Sequence, residues 1–337
     1  MAPPSRDLVA DQVAGLESIV GPLIRGADRL ALVDFPNHGN VGDSAIWMGE
    51  QAMLRRLGRP RPAYSTTIGS HVSGQLRRAV GGEGTILIHG GGNFGDIWTW
   101  HQAFRERILR EFRDIRIIQL PQTLWFADEK APDHLRRLID VHPRFVLLVR
   151  DQRSLEFART QFDCEVALCP DSAFALGHFP RPFPSGPPLV WLSRRDREAV
   201  EQPDRLPAGA PDPVDWYLDD PGSYRLAGWL ASRVARHVPL IGGRCRPALQ
   251  AYYDAVAGHR VMSGVRMLAG ARCVVTNRLH VHVFCLQLGI RHFLSDNTYG
   301  KVRSYYDTWT HSSPLATWCA SEADALSKAL AWLAGEP

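Results

Sequence analysis

The stretch Thr85–Trp98, TILIHGGGNFGDIW, narrows the fold more than any other part of the chain. Thr85-Ile86-Leu87-Ile88 is a short apolar run, the pattern of a strand buried on both faces. Gly90, Gly91 and Gly92 follow at once, then Asn93, Phe94, Gly95 and Asp96, and an amphipathic run begins behind them. Strand, tight polar turn and helix start form the unit from which parallel α/β sheets are built. Ligands of such sheets bind at the carboxyl ends of the strands. Glycines there let the backbone approach a ligand and adopt positive φ. A turn that only reconnects strand and helix needs neither Asn93 nor Asp96.

The same words occur earlier. Arg29–Asp34 (RLALVD) reads as a strand, and Gly39-Asn40-Val41-Gly42-Asp43 follows it ahead of a helix over Ala45–Leu57. Gly92-Asn93-Phe94-Gly95-Asp96 repeats that G-N-x-G-D pattern. Both read as turns between a strand and a helix on one edge of one sheet, converging on one cleft. The asparagines offer a donor and an acceptor each. Asp43 and Asp96 can cap the following helix or accept from sugar hydroxyls. Neither loop fits the glycine fingerprints of dinucleotide or P-loop sites.

Further strand–loop–helix units follow. Ile115–Leu120 is a strand that runs into a polar turn at Pro121-Gln122-Thr123. Phe145–Val149 is a strand that stops at Arg150-Asp151, and Glu165–Leu168 one that stops at Cys169-Pro170-Asp171-Ser172. PRPFPSGPP at 180–188 marks a domain boundary, after which Leu189–Leu192 restarts as a strand before Ser193-Arg194. A polar loop over Arg197–Asp212 and helices over Tyr224–His237, Ala248–Ala257 and Val261–Ala269 come next. Strands at Cys273–Thr276 and Ile290–Leu294 follow, the second leading into Asn297 and Lys301, and helices over Val302–Trp309 and Ala323–Leu333 finish the chain. The expected architecture is α/β, two Rossmann-like domains (1–180 and 186–337) with an interdomain cleft. A length of 337 residues suits two such units.

A formal charge of +4 without a polybasic tail argues against nucleic acid as a partner. Ten tryptophans are many, and indoles stack on sugar faces as well as filling cores. The six scattered cysteines lack CxxC spacing and read as buried free thiols. No apolar run reaches the ~18 residues of a spanning helix, and the N-terminus carries no signal-like apolar segment. A peripheral membrane contact stays compatible with this. The apolar C-terminal helix could pack within the chain or in a homo-oligomer.

Thr276-Asn277-Arg278-Leu279-His280-Val281-His282 sits where a strand ends and a helix begins. Free amide N–H groups and the helix dipole favour an anion there. Arg278 can clamp a phosphate or carboxylate with its fork, and His280 can bind the anion or move a proton. His282 reads as a satisfied core or interface histidine. No metal-ligand spacing is present, so no metal is expected.

FPNHGNVGDSAIW, HGGGNFGDIW, LPQT, Arg150-Asp151-Gln152-Arg153-Ser154, PDSAF and TNRLHVH, in this order from about Asp34 to Asp307, resemble the polysaccharide pyruvyl transferase family. The resemblance implies a glycosyltransferase-B-like pair of Rossmann-type domains. It implies transfer of pyruvate from phosphoenolpyruvate to a sugar of an exopolysaccharide or cell-wall glycan precursor as a cyclic ketal, with phosphate released. The Arg278-Leu279-His280 triplet would belong to the phosphoenolpyruvate site, with Arg150, and next Arg194, as the arginine from elsewhere. His280 would be general acid or phosphate ligand, and Asp43, Asp96 or Asp171 the base toward a sugar hydroxyl. Asn40, Gly42, Gly91, Gly92, Asn93, Asn297 and Lys301 complete the expected substrate contacts. No cofactor is implied beyond phosphoenolpyruvate as donor. The implied acceptor is a glycan, with a lipid-linked oligosaccharide at the cytoplasmic face of the membrane as the leading form. A nucleotide-sugar glycosyltransferase on the same fold is the alternative.

Overall fold

The structure is a computed structural model that describes residues 7–181, 186–194, 206–216, 222–237 and 245–335. The readings at 182–185 and 195–205 lie outside the described residues. Two separate parallel sheets make two Rossmann-like lobes with a cleft between them.

The first sheet has seven strands: β1 (Leu30–Val33), β2 (Tyr64–Thr66), β3 (Thr85–Ile88), β4 (Gly91–Gly95), β5 (Arg116–Trp125), β6 (Phe145–Val149) and β7 (Glu165–Leu168). Their order is β2-β1-β3-β5-β6-β7, with β4 also paired to β5. The chain leaves β1 in one direction to reach β2 and returns on its other side to form β3. The loops after β1 and β3 therefore diverge at a topological switch point, where open α/β sheets bind ligands. The second sheet runs β11-β10-β9-β8, from β8 (Leu189–Leu192), β9 (Cys273–Thr276), β10 (Arg291–Leu294) and β11 (Ala316–Trp318). Strands β1, β3, β6, β8 and β9 are buried throughout, which is why they read as unbroken apolar runs.

The helices are α1 (Leu8–Ile24), α2 (Val41–Arg56), α3 (Ser73–Val80), α4 (Thr99–Glu111), α5 (Asp133–Asp140), α6 (Gln152–Gln161), α7 (Gly222–His237), α8 (Arg246–Ala269), α9 (Leu279–Leu288), α10 (Lys301–Tyr305) and α11 (Glu322–Ala334). Helix α2 joins the lobes. Its Val41, Ala45 and Ile46 share one apolar cluster with Leu192, Val274, Leu279 and Phe284 of the second lobe. On its other side Trp47 and Met53 share a cluster with Leu249, Tyr253 and Val256 of α8. An apolar contact of this kind restrains hinge motion between lobes.

Four readings are corrected. The run Gly91–Gly95 is a strand rather than a turn, and Asp96 caps no helix: the N-cap of α4 is Trp98, with no side-chain cap bond. Strand β5 continues through Pro121 to Trp125, because the ladder to β6 shifts register between Gln119 and Gln122 and so never needs the N–H that proline lacks. The two expected helices at 248–269 are one, α8, since Gly258 costs only ~1 kcal/mol in a helix whose two halves pack on different lobes. Helix α10 stops at Tyr305 and passes into a π-helical turn over Tyr306–Thr310. Strands β2 and β11, three residues each, are too short to have been read from the sequence. All six cysteines are free, four of them buried. No described helix is long and apolar enough to cross a membrane.

Candidate active site

A cavity of about 330 Å³ opens between the lobes, lined by Asn37, His38, Asn40, Asp43, Gly92, Asn93, Trp98, Trp100, His101, Arg150, Arg194, Trp216, Arg278, Leu279, His280 and Lys301. The chain ends of β1, β3, β6, β8 and β9 supply most of these residues, as the switch-point topology requires.

The floor is cationic. Arg150 leaves β6 fully buried, gives Nη1 to Asp171 Oδ2 at 2.6 Å and Nε to Thr123 Oγ1 at 2.9 Å. Lys301, the first residue of α10, donates Nζ to the Tyr299 hydroxyl at 3.0 Å. A Cβ on Gly92 would lie 3.2 Å from both Arg150 Nη2 and Lys301 Nζ. The missing side chain thus leaves one point in the cavity flanked by two buried cations. Beneath β4 lies a third, Arg105, fully buried on α4. It is held by Gln119, Gln102 and Asn93 oxygens at 2.7 Å each and stacked on the Phe94 ring. Burial lowers its pKa to about 10, so it stays charged at neutral pH.

His280 stands one residue inside the N-terminus of α9, with Nε2 3.4 Å from Asp171 Oδ2, too long for a good hydrogen bond. Burial alone would raise the Asp171 pKa. The charges of His280 and Arg150 outweigh it and hold the carboxyl well below its usual range. Asp171 also accepts the Ala173 N–H at 2.8 Å. It therefore orients Arg150 and His280 as a fixed anion and is a poor base. Arg278, the N-cap of α9, gives Nη2 to Asp215 Oδ2 at 2.7 Å, and Asn277 Oδ1 accepts the Arg194 N–H at 3.0 Å.

The first G-N-x-G-D opens α2. Asn40 is its N-cap and accepts the Gly42 N–H at 2.9 Å. Gly42 faces His280 so closely that a Cβ would overlap the imidazole. Asp43 sits 3.7 Å from His38 Nε2. Burial works against its charge, but His38, His280, His89 and Lys301 prevail and lower its pKa. Below, Glu50 of α2 accepts from His89 Nδ1 and the Gly90 N–H, both at 2.8 Å, and so fixes the turn after β3.

The structure brings together Asn40, Gly42, Asp43, Gly92, Asn93, Arg150, Asp171, Arg194, Arg278, Leu279, His280 and Lys301. Leu279 contributes an apolar wall. The remainder stand back. Asp96 is exposed, away from the cavity lining, and accepts the Ala127 N–H at 2.7 Å. Asn297 accepts the Lys301 N–H at 2.9 Å and acts behind the site. Gly91 supports it through φ +120° against Ile46 and Asp43. His282 is the core histidine expected, bonded to His292 at 2.7 Å and Thr310 at 2.8 Å.

Sequence reasoning missed the aromatic part of the lining, Trp98, Trp100, His38, His101 and Trp216. The tryptophan count was the available signal. Among the described residues, no three His, Cys, Asp or Glu side chains are grouped to hold a metal ion.

Two Rossmann-like lobes with a cation-lined cleft between them have the glycosyltransferase-B-like arrangement. The chain belongs to the polysaccharide pyruvyl transferase family, whose model matches residues 40–299. Pyruvyl transferase 1 of Schizosaccharomyces pombe is 30% identical to it over 86% of this chain and 72% of its own. EpsO of Bacillus subtilis, named as a candidate pyruvyl transferase, is 29% identical over 85% of this chain and 87% of its own. The crystal structure of KP1_0663, a functionally uncharacterised protein of Klebsiella pneumoniae, shares the fold with a TM-score of 0.61 at 16% identity, covering 92% and 99% of the two chains.

Proposed function

We propose that this family member moves the pyruvyl group of phosphoenolpyruvate onto two hydroxyls of one sugar in a bacterial exopolysaccharide or cell-wall glycan precursor, forming a cyclic ketal and releasing phosphate. The observation that carries the reading is the convergence of Arg150 and Lys301 on the space beside Gly92, with His280 3.4 Å from Asp171 at the same floor. Phosphoenolpyruvate presents a phosphate and a carboxylate on a three-carbon frame. Two fixed cations and a helix N-terminus suit that pair of anions. A proton delivered to C3 by His280 makes C2 electrophilic, a sugar hydroxyl adds there, and a second hydroxyl displaces phosphate. Preorganised cations stabilise the charge that develops on the departing phosphate. Trp98 and Trp100 offer rings for a sugar face.

In this reading the lobe of residues 1–180 holds the acceptor and part of the donor, and the lobe of residues 186–337 supplies Arg278 and His280. A lipid-linked oligosaccharide met at the cytoplasmic membrane face is the acceptor form that fits a chain working on glycan precursors, and no cofactor is needed. The test is phosphate release from phosphoenolpyruvate with and without glycan acceptors, alongside product mass and phosphoenolpyruvate binding. Acceptor-dependent release with a product heavier by one ketal-linked pyruvate supports the reading. Absence of phosphoenolpyruvate binding, with turnover of a nucleotide-sugar instead, overturns it.

A further inference from the structure

Asp34 follows β1 directly, is fully buried, and has φ +72°. Only this residue and Glu129 among the described non-glycine residues take positive φ. A left-handed aspartate at a strand end is strained, and such strain gathers at functional positions. Both its carboxylate oxygens reach one atom: His101 Nδ1, from the first turn of α4, at 3.0 and 2.9 Å. The carboxylate thereby fixes the tautomer with hydrogen on Nδ1, which leaves the lone pair on Nε2. His101 lines the cavity, and its Nε2 has no hydrogen-bond partner among the described residues. Its neighbours there are Trp100 and His38, each with ring centroids 6.3 Å from the His101 ring. The His38–Asp43 pair of the cavity wall is looser, at 3.7 Å.

We propose that His101 is the base that takes the proton from the attacking acceptor hydroxyl, and that Asp34 positions it; this rests on the pyruvyl-transfer reading above. The hydroxyl oxygen bonds to C2 of the enolpyruvyl group as its proton passes to His101 Nε2, and C3 receives a proton from His280. The C2–O bond to phosphate then breaks, the second hydroxyl oxygen takes its place, and that hydroxyl's proton restores His280. His101 returns its proton through solvent to the phosphate. Two hydroxyl protons thus end on the C3 methyl and on phosphate, and the balance closes without a further reactant.

The direct experiment needs no acceptor. Long-range proton–nitrogen NMR of the His101 ring in the intact protein at neutral pH should find hydrogen on Nδ1 and a bare Nε2. The opposite tautomer, or an imidazolium, overturns the proposal. Asp34→Asn, which tolerates left-handed backbone, should invert the tautomer, because its amide donates to Nδ1.

Kinetics sharpen the test, with methyl glycosides of galactose, glucose and mannose and the oligosaccharide substrates as acceptors. In His101→Gln, kcat for acceptor-dependent phosphate release should fall ~10²–10⁴-fold, with phosphoenolpyruvate affinity within about twofold of wild type and the acid limb of the pH–rate profile lost. Added imidazole should restore turnover to His101→Ala. Charges facing the pair come from His38, His89 and Arg105, so the limb is assigned by its loss in the variant rather than by its position. A wild-type protein that binds no phosphoenolpyruvate sinks the underlying reading. Wild-type turnover with a His101→Gln kcat within threefold, or with only the acceptor KM raised, overturns the base assignment alone.

Discussion

The two G-N-x-G-D motifs are nearly identical in words and opposite in use. In the first, Asn40 caps α2, Gly42 makes room for His280, and Asp43 faces the cavity. In the second, Asn93 is tied to Arg105 and Gln122, Gly95 lies against the Trp125 carbonyl, and Asp96 turns outward to hold Ala127. One motif opens a helix and the other is a strand. The difference comes from partners. The first has free helix N–H groups to satisfy, and the second has beside it the edge of β5 that runs on past the end of β3. Five residues carry too little propensity to resist either demand.

The glycines separate the two most strongly. At Gly95, φ is +139° and a Cβ would overlap the Trp125 carbonyl, a backbone atom that cannot swing away. Gly95→Ala should cost more than ~3 kcal/mol of stability, read as a fall in urea midpoint. At Gly42 the backbone is helical, so alanine there is worth ~1 kcal/mol toward stability. Its methyl displaces the His280 ring, and a displacement of ~1 Å can cost ~10²-fold in rate. The overlap costs ~1–3 kcal/mol against that gain, so Gly42→Ala should lose less stability than Gly95→Ala while losing at least ~10² in turnover. An active Gly42→Ala would mean that His280 is not held where the chemistry happens.

The aspartates come next. Asp43→Asn should lower acceptor-dependent phosphate release by ~10²-fold, the scale of one preorganised charge. Asp96→Asn should change it less than about threefold, since the side chain only accepts one backbone N–H outside the cavity. Equal losses would restore the equivalence that the sequence pattern suggests.

The asparagines reverse the order. Asn93 Oδ1 takes Arg105 Nη2 at 2.7 Å and Gln122 Nε2 at 2.9 Å, and Asn93→Ala leaves the charged Arg105 Nη2 unmatched and Gln122 Nε2 with only the His89 carbonyl, at 3.1 Å. It should cost roughly 2–4 kcal/mol. Asn40→Ala removes one cap bond and should cost about 1 kcal/mol. Urea unfolding of the two variants measures the contrast.

Much of this was legible beforehand where one local demand dominated. Thr85–Ile88 and Cys273–Thr276 are buried on both faces, so their runs admit little but a strand. Arg278 and His280 sit at a strand-to-helix junction whose free N–H groups are a property of any helix. What stayed hidden depends on distant partners. Pro121 reads as a stop and is carried by a shift in the ladder to the neighbouring strand. The Asp34–His101 pair spans 67 positions and joins the end of β1 to the first turn of α4. Spacing along the chain says nothing of it until the switch point brings those two ends together.

The smallest effect lies in pH. Burial alone would raise the Asp43 pKa, and His38, His280, His89 and Lys301 together lower it. A carboxyl with a lower pKa folded than unfolded contributes stability above its unfolded value of about 4, and loses it as pH falls through the folded value. The Asp43→Asn variant carries no such dependence at this position. The melting temperature of wild type relative to Asp43→Asn should hold constant from about pH 7 to 5 and drop below about pH 4, the drop being smaller in high salt. If the relative value is flat down to about pH 3, the surrounding cations do not act on Asp43. Its carboxylate would then be no more than the first-turn acid that any helix start favours, and the contrast with Asp96 would rest on position alone.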